Sequence, residues 1–174
     1  MNQFLRTTQT GGDYNGISSS FSAKLFTTKV PILIDIGFND IIIPNPQKIQ
    51  YPTLLGMPEP VLLGYTLETV IAEKFESIVK LALVNTRMKD FYDLWIIFRN
   101  YDIKIDRLKI AITEVFANRK TLLKDPVAFT AAFYHSKETK LRWENFLSSM
   151  GKEKVDFKDV IGELSNFFIQ FIEK

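Results

Sequence analysis

A lysine, Lys74, lies in the apolar sector of an amphipathic helix predicted to begin after the N-cap residue Thr66. Because a lysine is rarely buried without a partner, its amine needs a carboxylate, a phosphate or a path to water. A stem lying along the core, with the amine reaching solvent, is an equally acceptable interpretation. The opposite, polar face of the helix consists of Thr69, Glu73, Glu76 and Lys80.

A second predicted helix carries acidic and basic residues at the border of its apolar stripe. Arg87 and Asp93 each lie three residues from Asp90, so all three side chains can meet on one side of the helix. A salt bridge at the start of the helix is the common fate of such a triplet. Helices joined by a short break usually pack antiparallel, which would bring Lys74 close to Asp90 or Asp93. A lysine and two aspartates converging at the edge of a core form a candidate site.

A third charged residue interrupts an otherwise apolar stretch, residues 30–38, which is predicted to be a buried central strand. Asp35 projects from this strand, and an unpaired buried carboxylate is costly. A capping role at the end of the strand is the alternative to a functional one. Gly37, close by, would allow a ligand to approach the backbone.

The composition excludes several classes of site. The 174 residues contain no cysteine and a single histidine, His135, which excludes a disulfide framework and cysteine- or histidine-rich metal sites. Any metal would be held by oxygen ligands, which favours Mg²⁺ or Mn²⁺. A net charge of +2 is too small to indicate nucleic-acid binding by itself. No apolar run approaches the length of a membrane span, so we expect a cytoplasmic protein with no membrane partner.

The elements divide into a β-rich part, residues 1–64, and a helical part, residues 65–174, which predicts an α+β fold. Strands are expected at residues 3–6, 17–28, 30–38, 41–43 and 61–63, with a proline-rich connector at residues 39–60. Beyond the two helices above, helical segments are expected at residues 105–120, from Pro126 onward, and at residues 137–150 and 156–174. The apolar stripe of the last helix is expected to be core.

Three strings carry a resemblance to a known family: IDIGFND at residues 34–40, AEKF at residues 72–75 and RMKDFYDL at residues 87–94. In order and spacing they resemble the AbiEii/AbiGii toxin family of nucleotidyltransferases, toxins of bacterial toxin–antitoxin and abortive-infection systems. The similarity extends from about Tyr14 to Arg99. It implies a partial nucleotidyltransferase-type mixed β-sheet, related to polymerase β, followed by a C-terminal helical bundle.

The resemblance also implies roles for the charged residues. Asp35 matches a carboxylate that binds a divalent metal, Mg²⁺ or Mn²⁺, or accepts the proton of the attacking hydroxyl. Lys74 matches the motif lysine that contacts the nucleoside triphosphate, and Asp90 matches the acidic residue of the last motif. Lys74→Met is then predicted to lower nucleotide affinity while preserving or raising stability, since it removes a charge from an apolar face. Three further residues would support this site: Arg87, Lys89 and Asp93.

One departure separates the chain from the family pattern. The β half contains no Gly-Ser turn followed by Asp-x-Asp, the pair that holds the metal in such enzymes. Relatives carry that segment before the point where this chain begins, so Met1 is expected to fall inside the domain. Without the pair, nucleotidyl transfer should be severely impaired.

Three functions therefore remain open. The first is a nucleotidyltransferase toxin with a cognate antitoxin, acting on an NTP and an acceptor such as tRNA. The second is a non-catalytic remnant that binds a nucleotide or a protein partner, with homo-oligomers formed through an exposed sheet edge. The third, a nuclease built on Asp35, Glu73 and Lys74, is disfavoured because Glu73 and Lys74 point about 100° apart on their helix.

Overall fold

The computed structural model describes residues 16–84, 86–152 and 154–172. The chain divides into two units, one ending at Asp40 and one beginning at Ile41. The strand predicted at residues 3–6 lies outside the described residues. Within the described residues the last strand ends at Gly64 and the first helix begins at Leu67. The division into two parts after residue 64 stays a prediction.

The first unit contains an antiparallel hairpin of β1 (Gly16–Leu25) and β2 (Thr28–Gly37). The prediction that residues 30–38 form a buried central strand is wrong. Among the described residues β2 pairs with β1 alone, and Leu33 keeps 65% of its surface exposed. The apolar residues of this segment indicated that other elements would cover both faces of the strand. In the described residues the strand belongs to a two-stranded hairpin, which covers neither face.

The second unit begins with another antiparallel pair, β3 (Gln47–Gln50) and β4 (Val61–Gly64). The strand predicted at residues 61–63 is confirmed, whereas β3 falls inside the predicted connector. A Cβ on Gly64 would lie 2.8 Å from the Cδ1 atom of Ile49, so a larger residue there would require the end of that side chain to move. The α+β class is confirmed, with the described strands paired as two antiparallel sheets instead of one mixed sheet.

No strand forms at residues 41–43, because side chains at the start of the first helix take the hydrogen bonds of Ile43. Its N–H donates to Thr69 Oγ1 at 2.9 Å, and its carbonyl accepts from Thr69 Oγ1 at 3.0 Å and from Thr66 Oγ1. Thr66 also caps the helix, since its Oγ1 accepts the N–H of Thr69 at 3.2 Å.

The described residues form six α-helices: α1 (Leu67–Leu81), α2 (Met88–Asn100), α3 (Ile105–Asn118), α4 (Ala131–Tyr134), α5 (Lys137–Ser149) and α6 (Phe157–Phe168). Short 3₁₀ turns occur at Ala82–Val84, Val127–Phe129 and Ile169–Phe171. None of the described helices is long and apolar enough to cross a bilayer.

Aromatic side chains from several helices join in one core. Phe75 of α1 stacks on Phe168 of α6 with 3.7 Å between ring centroids, and Phe91 of α2 meets the edge of Phe157 at 5.3 Å. All four are buried, so the apolar stripe predicted for the last helix is confirmed as core. This core fixes the rotation of α1 and α2, which positions the charged residues described next.

Candidate functional site

The Lys74 amine bridges two carboxylates of the neighbouring helix. Its Nζ lies 2.8 Å from Asp90 Oδ1 and 2.7 Å from Asp93 Oδ2. A second amine, that of Lys89, lies 2.5 Å from the same Asp93 oxygen. The contact predicted from the packing of the two helices is therefore present, with both aspartates engaged. We call Lys74, Asp90, Asp93 and Lys89 the lysine–aspartate cluster.

Buried neighbours set the direction of each charged side chain. Ile71, Phe75 and Ile78 of α1 are fully buried and hold Lys74 toward α2. On α2, Phe91 and Leu94 are fully buried, so the residues just before each of them lie together at the edge of the same face. Asp90 and Asp93, one turn apart, consequently reach the same amine.

The charges in the cluster stabilise one another. Partial burial, the strongest single influence on the Lys74 amine, lowers its pKa, but the hydrogen bonds and charges of Asp90 and Asp93 together raise that pKa above its usual value. Burial likewise acts to raise the pKa of Asp93, and its hydrogen bonds to Lys74 and Lys89 outweigh burial and lower that pKa. Both shifts favour the charged forms of Lys74 and Asp93 near neutral pH.

The cluster is half-buried and carries more negative than positive charge around Lys74. The exposed fractions of the side chains are 21% for Lys74, 14% for Asp90 and 23% for Asp93, so solvent reaches part of each. Lys74, Asp90 and Asp93 together carry a formal charge of −1, which the positive charge of Lys89 balances. A phosphate bound by Lys74 would have to replace a carboxylate or share the amine with it.

The other predicted supporting residue, Arg87, lies at the N-cap position of α2. Its carbonyl accepts the N–H of Asp90 at 3.0 Å, which ties the backbone of the two residues together in the first turn. Arg87, Lys89, Asp90 and Asp93 therefore belong to two successive turns of one helix, beside Lys74 of α1.

Asp35 belongs to the first unit, whereas the lysine–aspartate cluster belongs to the second. It lies opposite Ser18 in the β1–β2 hairpin, and Ser18 Oγ donates a hydrogen bond to Asp35 Oδ1 at 2.6 Å. Within residues 16–84, 86–152 and 154–172, no three side chains of the His, Cys, Asp or Glu type gather to hold a metal ion. Asp35 by itself would supply one carboxylate, so no metal site of three such side chains forms around it among the described residues.

A family model for the nucleotidyl transferase AbiEii toxin of a type IV toxin–antitoxin system matches residues 2–163. The chain belongs to this family. No curated protein and no solved structure matches it. The AbiEii match includes the hairpin with Asp35 and the helices with Lys74 and Asp90, and it continues through α5 into α6, beyond the predicted limit at Arg99. Membership implies nucleotidyltransferase chemistry, a toxin role and a cognate antitoxin.

The helical periodicity of α1 did not predict a second group of charged residues in this chain. Glu76, assigned to the polar face, is 1% exposed, because α3 and the segment after it cover that face. Its carboxylate accepts a hydrogen bond from Thr121 Oγ1 and lies 3.6 Å from Arg119 Nη1. Glu73 forms an ion pair with the same Arg119.

This second group separates Glu73 from Lys74. Glu73 is directed to Arg119, which follows α3, whereas Lys74 is directed to Asp90 and Asp93 of α2. A nuclease centre needs the two side chains on one reacting phosphate. Glu73 and Lys74 instead bind partners on different helices, as expected from the angle of about 100° between successive helix residues. This counts against the nuclease.

Proposed function

We propose that this protein transfers a nucleotide from an NTP to an RNA acceptor such as tRNA, as the toxin of a toxin–antitoxin system acting in the cytoplasm. The observation that carries the proposal is the lysine–aspartate cluster within an AbiEii family match over residues 2–163. A perturbed lysine held by two carboxylates at the edge of a core is the kind of group on which phosphate chemistry is built.

In this proposal Lys74 contacts the triphosphate as a compact point charge. Asp90 and Asp93 act as positioning residues, since they hold the amine in one place and keep it protonated. Lys89 and Arg87, at the start of α2, supply additional positive charge beside the phosphates. Stabilisation of the charge that develops on the transferring phosphoryl group is the main catalytic task of such a site.

A divalent ion, Mg²⁺ or Mn²⁺, is part of the proposal as a requirement of the reaction, with Asp35 as one ligand. Such an ion would offset negative charge on the phosphates. The described residues offer one carboxylate on β2 and no metal-holding cluster around it, so further ligands would have to join Asp35.

The test is transfer of label from each α-³²P-NTP to total RNA or tRNA, with Mg²⁺ or Mn²⁺, followed by gel electrophoresis. We expect labelled RNA with the unmodified protein and a loss of labelling in Lys74→Met. Lys80→Met is the matched control, because Lys80 is an exposed lysine of the same helix. Absence of labelled RNA with every NTP and both metals, or equal labelling by the two variants, would refute the proposal.

A second candidate function is nucleotide binding without transfer. It is favoured by the engagement of Lys74 with two carboxylates and by the lack of a metal-holding cluster in the described residues. Isothermal titration calorimetry with NTP and Mg²⁺ separates the two. Heat of binding without labelled RNA supports the binding protein, and labelled RNA rejects it.

We also propose self-association through the first unit. β2 presents exposed apolar side chains, among them Leu33 and Ile36. Its second edge pairs with no other strand among the residues that the structure describes, and such an edge favours pairing with another copy. Light scattering over a range of protein concentrations tests this. A monomer at all concentrations would refute it.

A further inference from the structure

The two carboxylates that hold Lys74 differ in their other partners. Asp93 Oδ2 lies 2.7 Å from the amine of Lys74 and 2.5 Å from that of Lys89, so two cations share one oxygen. Asp90 Oδ1 lies 2.8 Å from the Lys74 amine, and in the part of the chain that the structure describes no second cation pairs with this carboxylate. Separation from Lys74 would therefore leave Asp90 unpaired and Asp93 still paired.

The two carboxylates also differ in their exposure to solvent. The side chain of Asp93 is 23% exposed, whereas that of Asp90 is 14% exposed. An unpaired carboxylate loses more free energy where less water reaches it. Separation from Lys74 is consequently less favourable for Asp90 than for Asp93.

Lys89 can retain Asp93 without any movement of the helices. The two residues lie four positions apart on α2, the spacing at which side chains of one helix meet. The Lys89 side chain is 67% exposed, so it can follow the Asp93 carboxylate as that group turns away from Lys74. The resulting pair is neutral and adds no net repulsion to an anion beside it.

A phosphate that reaches Lys74 either shares its amine with both carboxylates or replaces one of them. Sharing would hold three anions on one cation, whereas replacement of Asp93 leaves two, with the released carboxylate neutralised by Lys89. We propose that the triphosphate displaces Asp93 from Lys74, that Lys89 retains Asp93, and that Asp90 keeps the amine in position. This exchange rests on the proposed transferase function, because that function places the triphosphate at Lys74.

The exchange gives the two aspartates different roles. Asp90 is a positioning residue both in the free protein and in the protein with triphosphate bound. Asp93 holds Lys74 in the free protein only, so it competes with the phosphates and limits how tightly they bind. Lys89 acts through Asp93, because it makes the release of that carboxylate less unfavourable.

The experiment is isothermal titration calorimetry of the intact protein with inorganic triphosphate, which carries the phosphates without a base. Asp93→Asn and Asp90→Asn form a matched pair, since each removes one negative charge from the same edge of α2. The bond between Asp90 and Lys74 exists before and after binding, whereas that of Asp93 breaks on binding. Asp93→Asn should therefore bind triphosphate roughly three- to ten-fold more tightly than Asp90→Asn, the effect of losing part of one hydrogen bond between charged groups.

Two controls show that the affinities report on this site. Lys74→Met should weaken triphosphate binding by about ten-fold or more, the effect of losing one charge-assisted hydrogen bond. Circular dichroism spectra should match that of the unmodified protein in both asparagine variants. Triphosphate affinity that is independent of Lys74, or no binding by the unmodified protein, would overturn the exchange.

The relative affinities of the asparagine variants decide between the alternatives. Equal affinities would overturn the exchange, because the amine would then be shared with both carboxylates. Tighter binding by Asp90→Asn would also overturn it. Asp90 lines a groove of about 570 Å³ between α2 and α5, and the phosphates would then displace Asp90 from that side.

A second variant tests the exchange without changing either aspartate. Lys89→Gln leaves Lys74 as the one cation paired with Asp93 among the described residues, so the carboxylate should be released less readily. Triphosphate affinity should fall by roughly three-fold, and by less when Asp93→Asn is also present, since residues in one network do not act additively. An equal fall in both backgrounds would overturn the exchange, because Lys89 would then act on the phosphate directly.

Failure of the exchange is distinguishable from failure of the transferase proposal. Tighter triphosphate binding by Asp93→Asn than by Asp90→Asn, in a protein that labels no RNA, would keep the exchange and reject the transferase. Labelled RNA together with equal affinities of the two variants would keep the transferase and reject the exchange.

Discussion

Lys74→Met tests whether the lysine–aspartate cluster stabilises the helical unit. The sequence pattern alone predicts equal or greater stability, since a charge leaves an apolar face. The geometry reverses that expectation, because Asp90 Oδ1 and Asp93 Oδ2 lie 2.8 and 2.7 Å from the amine and would lose their shared partner. Two half-buried carboxylates one turn apart would then repel each other.

The magnitude follows from the number of bonds and their burial. A hydrogen bond to a charged group contributes about 1.5–3 kcal/mol, and removal of one partner of a buried ion pair costs about 3–5 kcal/mol. The Lys74 side chain is 21% exposed, and Met retains the apolar contacts of the lysine stem, so both ranges are reduced. We expect a loss of about 2–3 kcal/mol, which lowers Tm by roughly 5–10 °C for a chain of this size.

Urea denaturation followed by circular dichroism at neutral pH measures this loss. The informative control is a triple variant in which Asp90→Asn and Asp93→Asn accompany Lys74→Met. It removes the unpaired charges and should recover part of the stability, since residues in one network do not act additively. A change below about 0.5 kcal/mol in Lys74→Met, or a triple variant less stable than the single one, would refute the reasoning.

Three more predictions concern stability. The first compares the free energy of unfolding of the unmodified protein with that of Asp93→Asn, measured by urea titration at several pH values. Because the pKa of Asp93 in the folded protein lies below its ordinary value of 3.8, the difference should be constant near neutral pH and shrink below pH 3.8. A difference that grows in acid would contradict this. Phe75→Ala should cost about 3–5 kcal/mol by urea denaturation, since the ring is buried against Phe168, and a loss below 1 kcal/mol would contradict this packing. Arg99→Met should lower the free energy of unfolding by no more than about 1 kcal/mol, because its ion pair with Glu163 is exposed and its guanidinium lies over the Trp95 ring, 4.3 Å from the centroid. A larger loss in urea denaturation would contradict this.

The helix boundaries were largely predictable because local signals set them. Thr66 was expected to cap α1 and does so. Asp156, the first residue of the last predicted helix, accepts the N–H of Lys158 at 2.8 Å and caps α6. Gly151, expected to end the preceding helix, adopts a positive φ of 60° just after α5. Each of these signals acts within a few residues and depends on no distant partner.

The predictions that were wrong depend on contacts with residues far away in the sequence. Periodicity assigned Glu76 to solvent, since nothing within α1 shows that α3 covers that face or that Arg119 and Thr121 follow it. The apolar run of β2 indicated layers on both faces, whereas the strand is exposed in the part of the chain that the structure describes. Both depend on which element covers a face, and a hydropathy pattern does not specify that element.

Lys74 falls between these cases. Its charge on an apolar face predicted that a negative partner must exist, because an unpaired buried charge is costly. The same argument does not distinguish a carboxylate from a phosphate. The structure supplies two carboxylates, and the function that we propose requires a phosphate at the same amine. The proposed function is compatible with these bonds if a phosphate displaces one aspartate while the other keeps Lys74 in place. In that case the bonds that stabilise this fold would also weaken the proposed binding of the nucleotide.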